Sequence, residues 1–373
     1  MALLVLAFAA FVALGLPDGA LGVAWPSMRD TFDQPVGSLG ILIAAITVGY
    51  LTSTAANGFL ASRLGTGRHL LLATAASTAG LATFVVADQW PVLVAGTALV
   101  GAGGGGIDAE VNAHVAVHHG VRAMGFLHAC FGIGATIAPA IMTAFLAAGA
   151  SWRNGYVVLL VVEAALIVAF VVTRQRWGGR LPVEERTVPA RPNAILIATL
   201  ALLFVYTGLE ISAGQWAFTL LTEERGLGTT VAGLAVSAYW GSLTAGRLLL
   251  AFLGNRATPA SLLRWSTVGA AVATALLWWS PVPAVGPIAL VVLGFCLAAV
   301  FPTLVSLTPV RLGERRASAV IGYQLAAGGL GGGAFPALAG AVAGGISLAA
   351  LPPFLFAIAL VMVGLNATAS RLA

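Results

Sequence analysis

The chain has 373 residues, of which 59% are hydrophobic and only 8% are charged. Soluble domains carry about a quarter charged residues, so this composition excludes a soluble domain and predicts a polytopic membrane protein. The formal net charge is +5. Its positive charges are scattered over short loops rather than gathered in one patch, so nucleic-acid binding is not indicated.

Apolar runs separated by short polar breaks predict about twelve transmembrane helices. The one long polar interruption, at 174–193, is a predicted cytoplasmic linker loop between an N-terminal six-helix bundle (1–173) and a C-terminal six-helix bundle (194–373). The first run lacks a basic n-region and a cleavage site, so we expect it to be retained as a helix. The predicted limits, in chain order, are 2–27, 38–62, 69–87, 91–117, 122–148, 154–173, 194–221, 228–253, 260–280, 284–308, 317–343 and 350–370.

The placement of the arginines predicts the orientation of these helices, because cytoplasmic loops carry an excess of basic residues. With the N-terminus inside, only Arg29, Arg153 and Arg225 of the 18 arginines fall outside. Shifting the registry by one helix would reverse this bias. We therefore expect a multi-pass protein of the plasma (inner) membrane with both termini in the cytoplasm.

Acidic residues inside apolar spans are the strongest functional signal in the sequence. Asp18 lies within the uncharged run that opens the chain, Asp108 lies in the fourth span and Glu210 in the seventh. A carboxyl group at that depth is costly unless it faces a protein interior or a water-filled cavity. The three positions therefore predict functional sites.

The fourth span carries polar residues on two opposite faces. At 100° per residue, Asp108 and Asn112 share one stripe, whereas Glu110 and His114 form an i,i+4 pair on roughly the opposite face. The first stripe predicts a cavity lining, with Asp108 as a proton or substrate acceptor and Asn112 as its hydrogen-bond partner. The second pair can neutralise Glu110 internally. Whether Glu110, His114 and Glu163 of the sixth span are structural or functional is left open.

Polar and aromatic residues in other spans predict contacts with a solute. Glu210 with a nearby Gln and Trp is typical of a sugar pocket, since carboxylates accept from hydroxyls and an aromatic plane covers the sugar ring. A competing interpretation places Trp216 in the interfacial belt, and Arg247 is interpreted as a snorkelling or latch residue. The predicted substrate contacts are Asn112, His128, Glu210, Gln215, Trp216, Tyr239, Tyr323 and Gln324.

The two halves of the chain look like diverged copies of each other. Asp18 in the first span has a counterpart in Glu210 of the seventh. Secondary transporters are commonly built from such repeats, with the binding site between them. Further matches in order are Gly132, Gly134 and Pro139 with Gly331, Gly333 and Pro336, and the turns 58–65 and 246–254.

The sequence resembles the major facilitator superfamily over essentially its whole length. The turn after the second span is similar to that superfamily's loop signature, roughly G-x-L-A-D-R-x-G-R-R, which Gly58, Arg63, Gly65 and Arg68 fit. The resemblance implies a fold of two pseudo-symmetric six-helix bundles. Ser62 stands where the family has an acid that latches the inside ends of helices, so this latch is not carried over.

Within the superfamily, the chain most resembles the fucose:proton symporter branch. Asp18 upstream of Pro26, and Asp108 four positions before Asn112, match the membrane acids of that branch. The resemblance implies that Asp18 and Asp108 serve proton coupling and sugar binding. The chain departs from the branch in having Asp rather than Glu at 108, and Ala113 where the branch has Pro.

These observations predict a secondary transporter that moves a small, sugar-like solute with protons by alternating access. No arginine or lysine is predicted at mid-membrane, which favours neutral polyhydroxylated solutes or cations over organic anions. An alternative is a proton-driven exporter of drugs or metabolites, which the same acids would serve, and sodium remains open as the coupling ion.

An intramembrane enzyme is the rival of a different class. It needs a nucleophile and base, or a metal pair, at one depth, and the sequence contains no such set. We therefore expect no catalytic residue, no metal and no cofactor. The expected partners are a small solute, protons and the lipid bilayer, and one chain is enough for a complete pathway, so we expect a monomer.

Overall fold

The computed structural model describes residues 2–177, 193–253, 257–312 and 314–372. Most of the predicted linker loop, including its Arg180, Arg186 and Arg191, therefore lies outside the described residues, as does Arg256. The chain divides into two compact units, Met1–Val183 and Glu184–Ala373. Within the described residues, both units consist of helices joined by short turns.

The described residues of the N-terminal unit form five α-helices, which contain six candidate membrane spans. The helices are α1 (Ala2–Thr31), α2 (Leu39–Leu64), α3 (Thr66–Val86), α4 (Trp90–Ala147) and α5 (Trp152–Thr173). Helix α4 contains two candidate spans, Trp90–His119 and Arg122–Ala147. Both contact the middle of α1, since Gly104 abuts Leu14 and Phe131 abuts Gly15. The chain therefore doubles back between the two spans of α4.

The C-terminal unit repeats this plan with a different helix count. Its helices are α6 (Ala194–Thr219), α7 (Thr229–Leu253), α8 (Pro259–Trp279), α9 (Val285–Leu297), α10 (Val300–Leu312), α11 (Glu314–Gly345) and α12 (Leu351–Leu372). A π-helical turn, Leu220–Glu224, extends α6. Helices α9 and α10 belong to one candidate span, Val285–Arg311.

Membrane-spanning helices account for nearly all of the described chain. Eleven helical segments are long and apolar enough to cross a bilayer. Helix α7, with 25 residues, has the length for a twelfth crossing. The prediction of an all-α integral membrane protein with about twelve transmembrane helices is therefore confirmed.

In each unit, the first helix packs against the fifth crossing through a glycine. A Cβ atom on Gly134 of α4 would collide with the carbonyl of Val12 in α1, and one on Gly331 of α11 would collide with the carbonyl of Phe204 in α6. Both glycines lie five residues before a proline of the same helix. Small residues let transmembrane helices approach closely, so the matched positions have the same packing role in both units.

Two of the three arginines predicted to lie outside bind the ends of helices. Arg153 donates to the carbonyl oxygens of Phe84, Val85 and Ala87 at the end of α3, at 2.7 to 3.1 Å. Arg225 donates to two carbonyl oxygens at the end of α8, at 3.2 and 3.4 Å. The last carbonyls of a helix have no partner within it, so these contacts explain why arginines stand against the general charge bias.

Candidate functional site

Asp108 lies half-buried in the first span of α4 and accepts hydrogen bonds from two side chains. The hydroxyl of Tyr50 in α2 lies 2.6 Å from Oδ2, and the amide nitrogen of Asn112 lies 2.8 Å from Oδ1. Asn112 stands one helical turn after Asp108, which is why the two side chains meet. The carboxylate is therefore held by neutral donors on both oxygens.

Tyr50 is a site residue that the sequence analysis missed. Its short O–H···O contact with Asp108 has the length of a charge-assisted hydrogen bond. The local signal was weak, since α2 shows one tyrosine with Thr54 a turn further on. Only the packing of α2 against α4 reveals the partner.

Asp18 and His128 complete this group of residues. Both lie close enough to Asp108 to interact with it electrostatically. Asp18 is half-buried in α1, whereas His128, in the second span of α4, is exposed and meets the ring of Phe11 edge-on at 5.8 Å. We call this group the Asp108 cluster; it consists of Asp18, Tyr50, Asp108, Asn112 and His128.

Asn112 leaves one acceptor unused in the Asp108 cluster. Because a carboxylate only accepts hydrogen bonds, the amide nitrogen of Asn112 must face Asp108. Its Oδ1 atom is then buried, and no group among the described residues donates to it. An unmet buried acceptor costs about 1–3 kcal/mol, so a hydroxyl donor is favoured at this position.

Glu210 is the buried acid of the C-terminal unit, and an arginine neutralises it. Arg247 in α7 places Nη2 at 3.3 Å from Oε1 and 3.5 Å from Oε2 of Glu210. The same nitrogen lies 3.3 Å from the hydroxyl oxygen of Tyr206. The side chain of Arg247 therefore links α7 to α6.

Two predicted solute contacts of this unit form hydrogen bonds inside it. The hydroxyl of Tyr239 donates to the backbone carbonyl of Glu210 at 2.8 Å. The indole nitrogen of Trp216 donates to the carbonyl of Pro336 in α11 at 3.1 Å. Both rings are at most 1% exposed, so in this arrangement they connect α6 to its neighbours.

The other predicted contacts in this unit differ widely in exposure. Gln324 is fully buried, and its Oε1 accepts from Thr308 at 3.0 Å. Gln215 is buried, whereas Tyr323 is 43% exposed. The contact of Gln215, Tyr323 and Gln324 with a solute stays a prediction.

Glu110 bonds to a neighbouring helix instead of to its own. Its Oε2 lies 3.2 Å from Nδ1 of His69 in α3, and both side chains are at most 2% exposed. The expected hydrogen-bonded pair with His114 is not formed, and neither Oε1 of Glu110 nor Nδ1 of His114 has a hydrogen-bond partner among the described residues. The ring of His114 instead stacks on His118 at 4.4 Å.

Glu163 ties α5 to α3 through hydroxyl groups. Its Oε1 accepts from Ser77 at 2.8 Å, and its Oε2 lies 3.2 Å from the hydroxyl of Thr78. The side chain is buried at this contact. In the part of the chain that the structure describes, no group of three or more His, Cys, Asp or Glu residues could hold a metal ion.

Comparison with known proteins identifies the family of this helical architecture. The family model of the Major Facilitator Superfamily matches residues 3–336. The chain belongs to the Major Facilitator Superfamily. Members of this superfamily are carriers, so the chain is a membrane transporter rather than an enzyme.

Individual members resemble this major facilitator along most of its length. The mouse sodium-dependent glucose transporter 1A is 24% identical over 342 residues, which cover 80% of each chain. Among solved structures, the nucleoside transporter NupG matches with a TM-score of 0.79 at 12% identity. FucP in its outward conformation matches with a TM-score of 0.63 at 15% identity. Both alignments cover 97% of this chain and 98% of the other.

The superfamily's loop signature lies at the turn between α2 and α3. Gly65 has a φ of +76°, a left-handed conformation that favours glycine and lets α3 begin at the next residue. Arg63 lies 4.2 Å over an aromatic ring of its own helix. The hydroxyl of Ser62 donates to a carbonyl of its own helix at 2.9 Å. Gly58 and the exposed Arg68 flank this turn.

Proposed function

We propose that this transporter moves a small, neutral, sugar-like solute together with a proton by alternating access. Asp18 and Asp108 are the coupling acids, and Asn112 and His128 contact the solute. The protein acts as a monomer in the plasma (inner) membrane, with both termini in the cytoplasm. The observation that carries this proposal is the Asp108 cluster, which places two acids and a histidine together within apolar helices.

The partners of Asp108 support a role in proton binding. Tyr50 and Asn112 are neutral donors, and among the described residues no arginine forms a salt bridge with Asp108. Two neighbouring carboxylates repel each other when both are charged, and charge in an apolar span is costly. A proton shared by Asp18 and Asp108 removes this repulsion. Alternating exposure then lets the pair load the proton on one side and release it on the other.

The remaining polar groups favour a solute with hydroxyls. Oδ1 of Asn112 is an unused acceptor beside Asp108. In the C-terminal unit, Arg247 cancels the charge of Glu210, which favours a neutral solute over an organic anion. The relatives point in the same direction, since one is a glucose transporter and another a nucleoside transporter.

The C-terminal unit supplies the second set of proposed contacts. Its members are Glu210, Gln215, Trp216, Tyr239, Tyr323 and Gln324. Gln215, Trp216, Tyr239 and Gln324 are buried, so a solute reaches them only in a conformation that exposes them. Exposure of this kind is expected when helices rearrange during alternating access.

Uptake into proteoliposomes tests the proposal. Purified transporter is reconstituted, an inward proton gradient is imposed, and accumulation of radiolabelled D-glucose, D-mannose and uridine is followed. We expect gradient-driven accumulation in the wild type, with Asp108→Asn and Asp18→Asn losing it by about 100-fold, as for loss of an essential proton-transfer group. Asp88→Asn, at an exposed acid, is the matched control and should behave like the wild type.

Two outcomes would contradict the assignment. Full gradient-driven uptake in both Asp18→Asn and Asp108→Asn removes proton coupling from these acids. Uptake that requires sodium, and stops when choline replaces it, assigns the coupling to sodium instead.

A further inference from the structure

Arg247 is the part of the Glu210 contact that a solute can reach. Its side chain is 27% exposed, whereas that of Glu210 is 9% exposed. The neighbouring rings of Tyr206, Tyr239 and Trp216 are at most 1% exposed. Of the side chains that meet at Glu210, that of Arg247 is therefore the most exposed.

The guanidinium has more donors than its protein partners use. A guanidinium carries five N–H donors in a planar fork. The contacts with Glu210 and Tyr206 are all made by Nη2. Nε is buried, and no group among the described residues accepts from it. Arg247 thus keeps an unused donor, Nε, even while the ion pair is intact.

A purely structural role does not explain this geometry. Helices α6 and α7 are already connected by the 2.8 Å hydrogen bond from Tyr239 to the backbone carbonyl of Glu210. An ion pair that only connected these two helices would gain nothing from exposure of its arginine, because exposure to water weakens an ion pair. The partial exposure of Arg247 is instead what recognition of a solute requires.

We propose that Arg247 is a specificity-determining residue that donates hydrogen bonds to the solute, and that Glu210 is its positioning residue. The planar fork suits two adjacent acceptor oxygens, such as those of vicinal hydroxyls in a hexose. Because Glu210 cancels the charge, an anionic solute gains little extra attraction. The inference rests on the proposed function for the class of solute and adds the residue that selects within it.

Chemical modification of the purified full-length protein tests the exposure of Arg247. Phenylglyoxal, which reacts with accessible guanidinium groups, is applied with and without D-glucose, and modified arginines are identified by mass spectrometry. We expect modification at Arg247 that D-glucose slows by at least about fivefold, as for a group covered by a bound ligand. Arg225, whose guanidinium binds carbonyls at the end of α8, is the matched control and should show no protection.

Two variants test selectivity. Arg247→Lys keeps the positive charge for Glu210 but loses the planar fork, so we expect the KM for D-glucose to rise about tenfold with little change in kcat. Glu210→Gln leaves Arg247 with a net charge, so we expect D-glucuronate to compete at least about tenfold better against D-glucose than in the wild type. Thermal unfolding of both variants near the wild-type temperature excludes general misfolding.

The outcomes separate the inference from the proposed function. A wild type that D-glucose neither stabilises nor protects, and that does not transport it, overturns both. A wild type that binds and transports D-glucose, with Arg247 unprotected and the KM of Arg247→Lys unchanged, overturns only the inference.

Discussion

Each unit holds an acid within its apolar helices, but the two acids have different partners. In the N-terminal unit, Asp108 is held by the neutral donors Tyr50 and Asn112. In the C-terminal unit, Glu210 is paired with Arg247. Glu210 thus has a basic partner, whereas Asp108 has neutral donors and a second acid nearby. The proposed proton chemistry is therefore assigned to the acids of the N-terminal unit.

The contact between the third and last helices of each unit shows the same difference. In the N-terminal unit, Glu163 of α5 bonds to Ser77 of α3. In the C-terminal unit, the amide of Asn366 in α12 lies 3.4 Å from the hydroxyl of Thr267 in α8. A neutral amide thus replaces a titratable acid.

The largest expected loss of stability tests the close glycine contact that the two units share. Gly134→Val and Gly331→Val should each destabilise the protein by about 3 kcal/mol or more, because the new side chain collides with a carbonyl of the neighbouring helix. Thermal unfolding in detergent measures the loss. Gly364→Val, at a position with no atom within 4 Å, is the control. Tolerance of valine in one unit alone would break the structural equivalence of the two.

The buried contacts of Glu110 and Glu210 are expected to differ in stability between the units. Glu110→Ala leaves the fully buried His69 without its partner and should cost about 3 kcal/mol. Glu210→Ala should cost about 1 kcal/mol, because Arg247 is partly exposed and water can solvate it. Denaturant unfolding of the two variants compares them directly. A larger loss for Glu210→Ala would contradict the distinction drawn between the pairs.

Removal of the two arginines that bind helix ends should also cost more stability in the N-terminal unit than in the C-terminal unit. Arg153→Ala loses three contacts of 2.7 to 3.1 Å and should cost about 1–2 kcal/mol. Arg225→Ala loses two contacts of 3.2 and 3.4 Å and should cost less than about 1 kcal/mol. Thermal unfolding of both, with the exposed Arg68→Ala as control, measures the difference. Equal losses would show that the closer contacts of Arg153 add nothing.

The smallest expected change in stability is that of a substitution at Glu163. Glu163→Gln keeps an acceptor for Ser77 and adds a donor for Thr78, so we expect a change below about 0.5 kcal/mol and normal uptake. Glu163→Ala leaves both hydroxyls without this partner and should cost about 1–2 kcal/mol. Loss of proton-driven uptake in Glu163→Gln would place proton chemistry at a third acid of the unit.

The fold was largely predictable from the sequence because its signals are local. Each apolar run long enough to cross a bilayer became a helix, and arginines and glycines marked the turns. The stripe of Asp108 and Asn112 was also predictable, since residues one turn apart on a helix meet.

The partners of the acids were not predictable because they come from other helices. Tyr50 and His69 reach Asp108 and Glu110 from α2 and α3, and no periodicity within one span shows such contacts. The partner of Arg247 was not predictable either, because its position near a helix end said nothing about where its flexible side chain points. Side-chain length and tertiary packing decided these three contacts.

The most direct test of the account measures the protons that accompany solute entry. Proteoliposomes with a trapped pH-sensitive dye receive saturating solute in the wild type, Asp108→Asn and Glu210→Gln, and thermal shift confirms solute binding in each. The account predicts that Glu210→Gln still carries protons with the solute, whereas Asp108→Asn binds the solute but moves no protons. Proton movement that persists in Asp108→Asn and disappears in Glu210→Gln would contradict it.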